Sequence, residues 1–249
     1  MRKIVPLLGI ATFFAAWQIA VSTTHATLVP GPLAALLAIG ELARRGLLLK
    51  YIVASLFRVT WGYFGAVIIG IPAGIALGLS RRGELAVNPF VQILRPISPL
   101  AWIPIAILWF GVGDLSAIFL IFLASLFPLM VTAMHAVHNI EIVHLRAGSN
   151  FGLTRGQLIR TVIVPAILPQ LIIGMRIALG IAWLVVVAAE MIAVNSGLGF
   201  LIIDARNAGN RYDLVVAGMM LIGAIGVILD LIMRLMERLD FVRWGYAEQ

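Results

Sequence analysis

"GLTRGQLIRTVIVPAILPQLIIG", residues 152–174, begins wet and ends dry. Thr154, Arg155, Gln157 and Arg160 crowd its first half, and Pro165 and Pro169 precede its apolar second half. Thr154 is placed to cap a helix starting at Arg155, because its hydroxyl can accept from free N–H groups of the first turn. Pro165 disfavours helical geometry at Val164, and prolines cost least in a helix's first turn. The spacing predicts an exposed helix to about Val164, a bend, and a long apolar span. On these residues alone two readings stay open: a docking element for a soluble partner, or an ordinary loop between spans.

The rest of the chain decides the class. Of 249 residues, 62% are hydrophobic and 12% charged, and the mean hydropathy is +1.07. A soluble domain of this composition would be covered by one large apolar patch. Several apolar runs reach the roughly 20 residues that a bilayer core requires. The expectation is an all-α integral membrane protein, one transmembrane domain over residues 1–249. The net charge of +7 does not point to nucleic acid, because short inner loops collect Lys and Arg. Cysteine is absent, which excludes disulfides, thiolate chemistry and Cys metal sites.

About six spans are expected, over residues 4–21, 52–79, 90–110, 115–135, 162–194 and 214–236. The first is longer than the ~7–15-residue core of a signal peptide. With the N-terminus inside, inner ends and loops hold ten basic residues, including Arg2, Lys3, Arg146, Arg155, Arg238 and Arg243, against five outside. This supports both termini in the cytoplasm and places the opening segment inside the cell. Pro30 and Pro32 suit the start of a short helix on the outer side.

Three spans carry further signals. Gly70, Gly74 and Gly78 share one helix face and allow close backbone approach. That face lines a pore, meets a second copy, or packs within the subunit. Pro89, Pro96, Pro99 and Pro104 cannot all occupy one regular helix, so the third span is broken. Arg95 stands at that break, either satisfying freed carbonyls or facing the inner interface. Arg176 and Glu190 lie in the fifth span, where ionisable groups usually face a bundle interior or a water path. They are fourteen residues apart, roughly 21 Å along a helix, and cannot touch. Two readings are open: Arg176 attracts an anion and Glu190 helps close an outer gate, or each satisfies a polar partner in the bundle. "NSGLG", 195–199, reads as a turn, followed by a solvated loop.

Other chemistry is not supported. Neither Lys3 nor Lys50 has the context of a nucleotide-binding loop. His135, His138, Glu141 and His144 recur every three residues, and at ~100° per residue all four cannot converge on a metal. No catalytic set is expected.

The opening segment resembles the signature of ATP-binding-cassette importer permeases: Glu-Ala-Ala, three residues, Gly, nine residues, Ile-x-Leu-Pro. Its glycine matches Gly152, and Val162, Ile163, Val164 and Pro165 match the second half. The first half reads Arg146, Ala147, Gly148, with Arg146 where the family has an acid. Residues 95–116, 168–202 and 235–244 resemble the nitrate/sulfonate/taurine/bicarbonate branch. The resemblance implies a type I importer permease fold in a bacterial inner membrane, translocating a small anion by alternating access. Another small solute (a thiamine precursor, riboflavin or an aromatic acid) is the alternative, and a secondary carrier a more distant one. It further implies cytoplasmic ATPase subunits that use ATP and Mg, a second permease copy, an external solute-binding protein and a lipid surround. The chain itself would bind no cofactor. ATPase coupling would fall to a segment at about 143–161 with its bend, comprising Arg146, Ala147, Gly148, Gly152, Leu153, Thr154, Arg155, Val162, Val164 and Pro165. The path or gate would use Arg95, Arg176 and Glu190.

Overall fold

The fold is that of a computed structural model, which describes residues 4–24, 29–207 and 209–237. Arg2, Lys3, Arg238 and Arg243, used above for orientation, and the part of the 235–244 stretch beyond Glu237 lie outside the described residues.

In chain order the helices are α1 (Ile4–Thr24), α2 (Pro32–Arg44), α3 (Leu47–Leu79), α4 (Arg81–Leu94), a 3-10 turn (Pro99–Trp102), α5 (Ile103–Phe110), α6 (Asp114–His138), α7 (Ile142–Asn150), α8 (Arg155–Leu158), a π turn (Ile159–Ile163), α9 (Val164–Ala193), α10 (Leu198–Asn207) and α11 (Tyr212–Glu237). Among the described residues, four helices are long and apolar enough to cross a membrane: α3, α6, Arg155–Ala193 taken as one, and α11. The pair Arg81–Leu94 and Pro99–Phe110, bent by 85°, makes a fifth where the two pieces are counted as one broken span rather than a re-entrant loop. Helix α1, 21 residues long, occupies the first expected span.

The third expected span, 90–110, needs correction. It starts earlier, at Arg81, and is two helical pieces with a sharp break over residues 95–98. Pro96 and Pro99 each lack an N–H and crowd the preceding turn, so the helix ends at Leu94 and resumes only with Pro99 at a turn start. Arg95 is exposed at this break.

A glycine seam aligns the core. Helices α3 and α6 run parallel, and a Cβ on Gly74 would strike the Met130 carbonyl, while one on Gly78 would lie 2.8 Å from Val137 Cβ. Gly62 sits equally close to Ile121 and the Ile118 carbonyl. The stripe at 70, 74 and 78 is therefore intra-subunit packing, since any side chain there would push the two helices apart. Helix α9 runs antiparallel to both. It seats Ala178, Ala182, Val186 and Ala189 on the main core, with Leu120, Ile121 and Leu129 of α6. Helix α11 leans on α9 through Trp183, whose indole N–H donates to the Ile222 carbonyl at 3.0 Å.

The bundle thus has two ends. One carries α2, the start of α3, the α5–α6 turn and α10. The other carries the ends of α3 and α6 together with α7 and α8. Helix α10 replaces the solvated loop expected after residue 199: Leu198, Leu201 and Ala205 bury their side chains, and that burial favours a helix over a loop. Helix α2 starts at Pro32, as the prolines suggested, and packs Ala35 and Ala38 against Ala217 of α11.

Candidate functional site

At the α7 end, the signature residues form one compact unit. Gly152 has φ 74, a left-handed conformation that a side chain strains. Its N–H donates to the Ser149 carbonyl at 3.0 Å, and the Leu153 N–H to the Gly148 carbonyl at 3.2 Å. This is the paired closure of a helix C-terminus by a glycine, and it ends α7 sharply. Thr154 then opens the next helix. Its hydroxyl accepts from the Gln157 N–H at 3.4 Å, and the Gln157 side chain accepts from the Thr154 N–H at 2.9 Å, a reciprocal cap. Gly148 is buried, because a Cβ there would lie 2.5 Å from Leu158 and 3.5 Å from Val162. Leu153 and Val162 are half-buried, while Arg146, Ala147, Gly152, Thr154, Arg155, Val164 and Pro165 are exposed.

The helix does not stop at Val162–Pro165 as expected. Residues 155–193 form one continuous helix with a π turn at Ile159–Ile163, where the Val164 N–H reaches back to the Ile159 carbonyl. The wider turn gives the Pro165 ring the room that a regular turn would deny. The separate exposed helix is instead α7. Between α7, the end of α6 and the π turn lies a cleft of about 650 Å³ whose lining includes Asn139, His144, Phe151, Thr161 and Gln170.

The α10 end holds a buried ionic cluster. Arg58 is 1% exposed and Glu190 and Ser55 are 0% exposed. Arg58 Nη1 donates to Glu190 Oε1 at 2.6 Å and to the Ser196 carbonyl at 2.7 Å, and Nε donates to Asp114 Oδ1 at 2.8 Å. Glu190 Oε2 accepts from the Ser55 hydroxyl and from the Gly199 N–H, both at 2.9 Å. Ser55 in turn accepts from the Leu198 N–H at 2.9 Å. Gly197, with φ 107, lies against the Glu190 carboxylate so closely that a Cβ would overlap it. One guanidinium thus ties α3, α6 and the turn after α9. Such a group survives burial only when its charge is paired and its N–H groups are bonded.

Arg176 is not brought to Glu190. It reaches α11, with Nε 2.6 Å from Asp230 and Nη1 3.2 Å from Glu237, in a half-exposed setting. Of the residues singled out in the sequence, the structure therefore unites the 146–165 set and separates Arg95, Arg176 and Glu190. Arg58, Asp114 and Ser55 went unassigned. A signal was available: Arg58 and Glu190 are opposite charges near the same end of their expected spans, and a membrane charge calls for a partner at its own depth. The histidines disperse, His138 lying 3.5 Å from Glu84 and His144 3.9 Å from Glu141.

Comparison with known proteins agrees with this fold. Residues 66–239 match the family described as binding-protein-dependent transport system inner membrane component. The chain is 39% identical over 191 residues to the taurine transport system permease protein TauC of Escherichia coli, covering 76% of this chain and 68% of that protein. It is 36% identical over 247 residues to the bicarbonate transport system permease protein CmpB of Synechococcus elongatus, covering 94% and 88%. The putative aliphatic sulfonates transport permease protein SsuC of Bacillus subtilis is 34% identical over 236 residues, covering 94% and 85%. In fold, the chain superposes on one from the inward-facing MetNI methionine ABC transporter with a TM-score of 0.62 at 22% identity, covering 76% of this chain and 95% of that one. The chain belongs to the binding-protein-dependent transport family: it is a multi-pass inner-membrane permease subunit of an ABC importer, a transport component that works with an ATPase and a solute-binding protein.

Proposed function

We propose that this permease carries a small anion of the taurine, sulfonate or bicarbonate type, by alternating access in a pair of like copies. The observation that carries the reading is the 34–39% identity to permeases named for those cargoes. The α7 end faces the cytoplasm in this reading, with both termini on that side, and the α10 end faces the binding protein. ATP and Mg are bound by the partner ATPase. Arg146, Ala147, Gly148, Gly152, Leu153, Thr154 and Arg155 form the docking unit. Val162, Val164 and Pro165 pass its motion into α9 through a helix that is continuous from Arg155. A continuous 39-residue helix, roughly 58 Å long, suits that task. Arg146 at the acid's position calls for a complementary negative charge in the groove of its ATPase.

Glu190 serves outer closure. Arg176 brings little net positive charge to an anion, because Asp230 and Glu237 offset it; its work is holding α11 to α9. Arg95, exposed at the break, is the positive charge left for the path.

The test is Gly152→Val in the assembled transporter. Backbone strain of roughly 1–3 kcal/mol at this turn should cut ATP-driven uptake of the cargo at least tenfold and weaken ATPase co-purification, with permease abundance kept. Wild-type uptake from Gly152→Val with full ATPase association would remove the docking assignment. The cargo is read separately, by calorimetric titration of the binding protein with taurine, alkanesulfonate and bicarbonate.

A further inference from the structure

The ionic cluster at the α10 end is built from unequal halves. Its inner half is closed. Glu190, fully buried, accepts from Arg58, Ser55 and the Gly199 N–H, and Arg58 also holds the Ser196 carbonyl. Its outer half is open. The Asp114 side chain is 55% exposed although its partner Arg58 is only 2% exposed, and both line a cleft of about 450 Å³ with Lys50, Phe57 and Ser196.

We propose that the Arg58–Asp114 pair is the releasable half of a latch that holds the start of α6 against α3 and so keeps the outer end of the permease shut. Three features make release inexpensive on this side and expensive on the other. Asp114 stands in the first turn of α6, where the helix N-terminus favours an acid with or without a partner. Once free it enters a cleft already open at the surface, with Lys50 on the same wall. Arg58 meanwhile keeps Glu190 and Ser196, so no bare charge is left buried. Losing Glu190 instead would leave a fully buried carboxylate with no cation, held only by Ser55 and the Gly199 N–H. The moving part is bounded: the α5–α6 turn carries Gly111 and Gly113 at positive φ, and from Gly62 onward the glycine seam fixes α6 to α3. A single backbone bond, from the Gly113 N–H to the Ala193 carbonyl at 3.0 Å, runs beside the latch. Asp114 acts here as a positioning residue and touches no cargo.

The inference rests on the α10 end being the outer one, as in the reading above. Its first test needs no assumption about where the ATPase grips. The chain has no native cysteine, so Ala117→Cys, fully buried one turn beyond Asp114, serves as a probe in the assembled transporter in nanodiscs without ATP. Adding Asp114→Ala should speed its modification by a charged methanethiosulfonate at least fivefold, and Asp114→Glu should restore the slow rate. Equal rates for Ala117→Cys with and without Asp114→Ala would overturn the latch. The second readout is ATP hydrolysis. Asp114→Ala should raise the rate without binding protein about threefold or more and so reduce stimulation by it, whereas Asp114→Glu should not. A merely structural role would lower stimulated and unstimulated rates together, and that result also counts against the proposal.

Discussion

Helix α9 carries two ionisable residues of opposite sign, and the structure treats them oppositely. Glu190 is sealed, with each of its oxygens bonded and glycines at 197 and 199 pressed against it. Arg176 is half-exposed, pairing across to α11 in a chain of charges that continues from Asp230 to Arg234 at 2.8 Å. The difference follows from what packs around each. Near Glu190 three elements converge and exclude water. Near Arg176, among the described residues, α9 and α11 meet and leave a groove of about 190 Å³ between them. Removing one partner from a sealed site leaves an uncompensated charge, while an open pair exchanges its partner for water at small cost. The same residue classes are therefore structural keystones at one end and adjustable contacts at the other.

The strongest way to break this contrast is Glu190→Gln. The amide keeps the shape but sets an N–H₂ among Ser55, Arg58 and Gly199, all of them donors. A loss of about 3–5 kcal/mol is expected, seen as a sharp fall in thermal stability and yield of detergent-purified transporter. Stability equal to wild type would show that the cluster is not sealed. Arg176→Gln should do much less. We expect a downward shift in melting temperature under half that of Glu190→Gln, and uptake within threefold of wild type at unchanged cargo affinity. Loss of uptake with stability intact would return Arg176 to the anion path.

The smallest effect is set at the surface, where Arg211 bonds Glu41 of α2 at 2.7 Å. That bond holds the Glu41 carboxyl below its ordinary value. A depressed folded-state pKa contributes stability above the unfolded value, roughly 4.3, and that contribution is lost as pH falls through the folded one. Melting temperatures of wild type and Glu41→Gln should differ by about a degree at pH 6 and converge toward pH 3. A gap that widened on acidification would reverse the assigned sign.

Much of the scaffold was legible beforehand. Apolar runs marked α3, α6, α9 and α11, because length and hydropathy are local properties. Thr154 was readable as punctuation, since a helix cap acts within a few residues of itself, whereas Gly152 was marked by the family resemblance and its left-handed turn emerged in the structure. The 85° break was foreshadowed by its prolines, though the start of its first helix at Arg81 was not, because polar residues at 81–84 extend the helix beyond the apolar run. The π turn had no local signal, as it depends on how the Pro165 ring is housed. Helix α10 was hidden for a similar reason: its ten residues are too short to announce themselves, and they are held by Leu198 and Leu201 settling into the core.

What the amino-acid sequence determined alone was the class, the long apolar helices and the helix cap at Thr154, all governed by interactions within one or two helical turns. The partner of Glu190 was decided only in three dimensions. Arg58 stands 132 residues away and Ser55 135, and nothing local distinguishes a charge that will be sealed from one that will stay wet. Burial depends on which helices close around the group, and only the packed bundle specifies that.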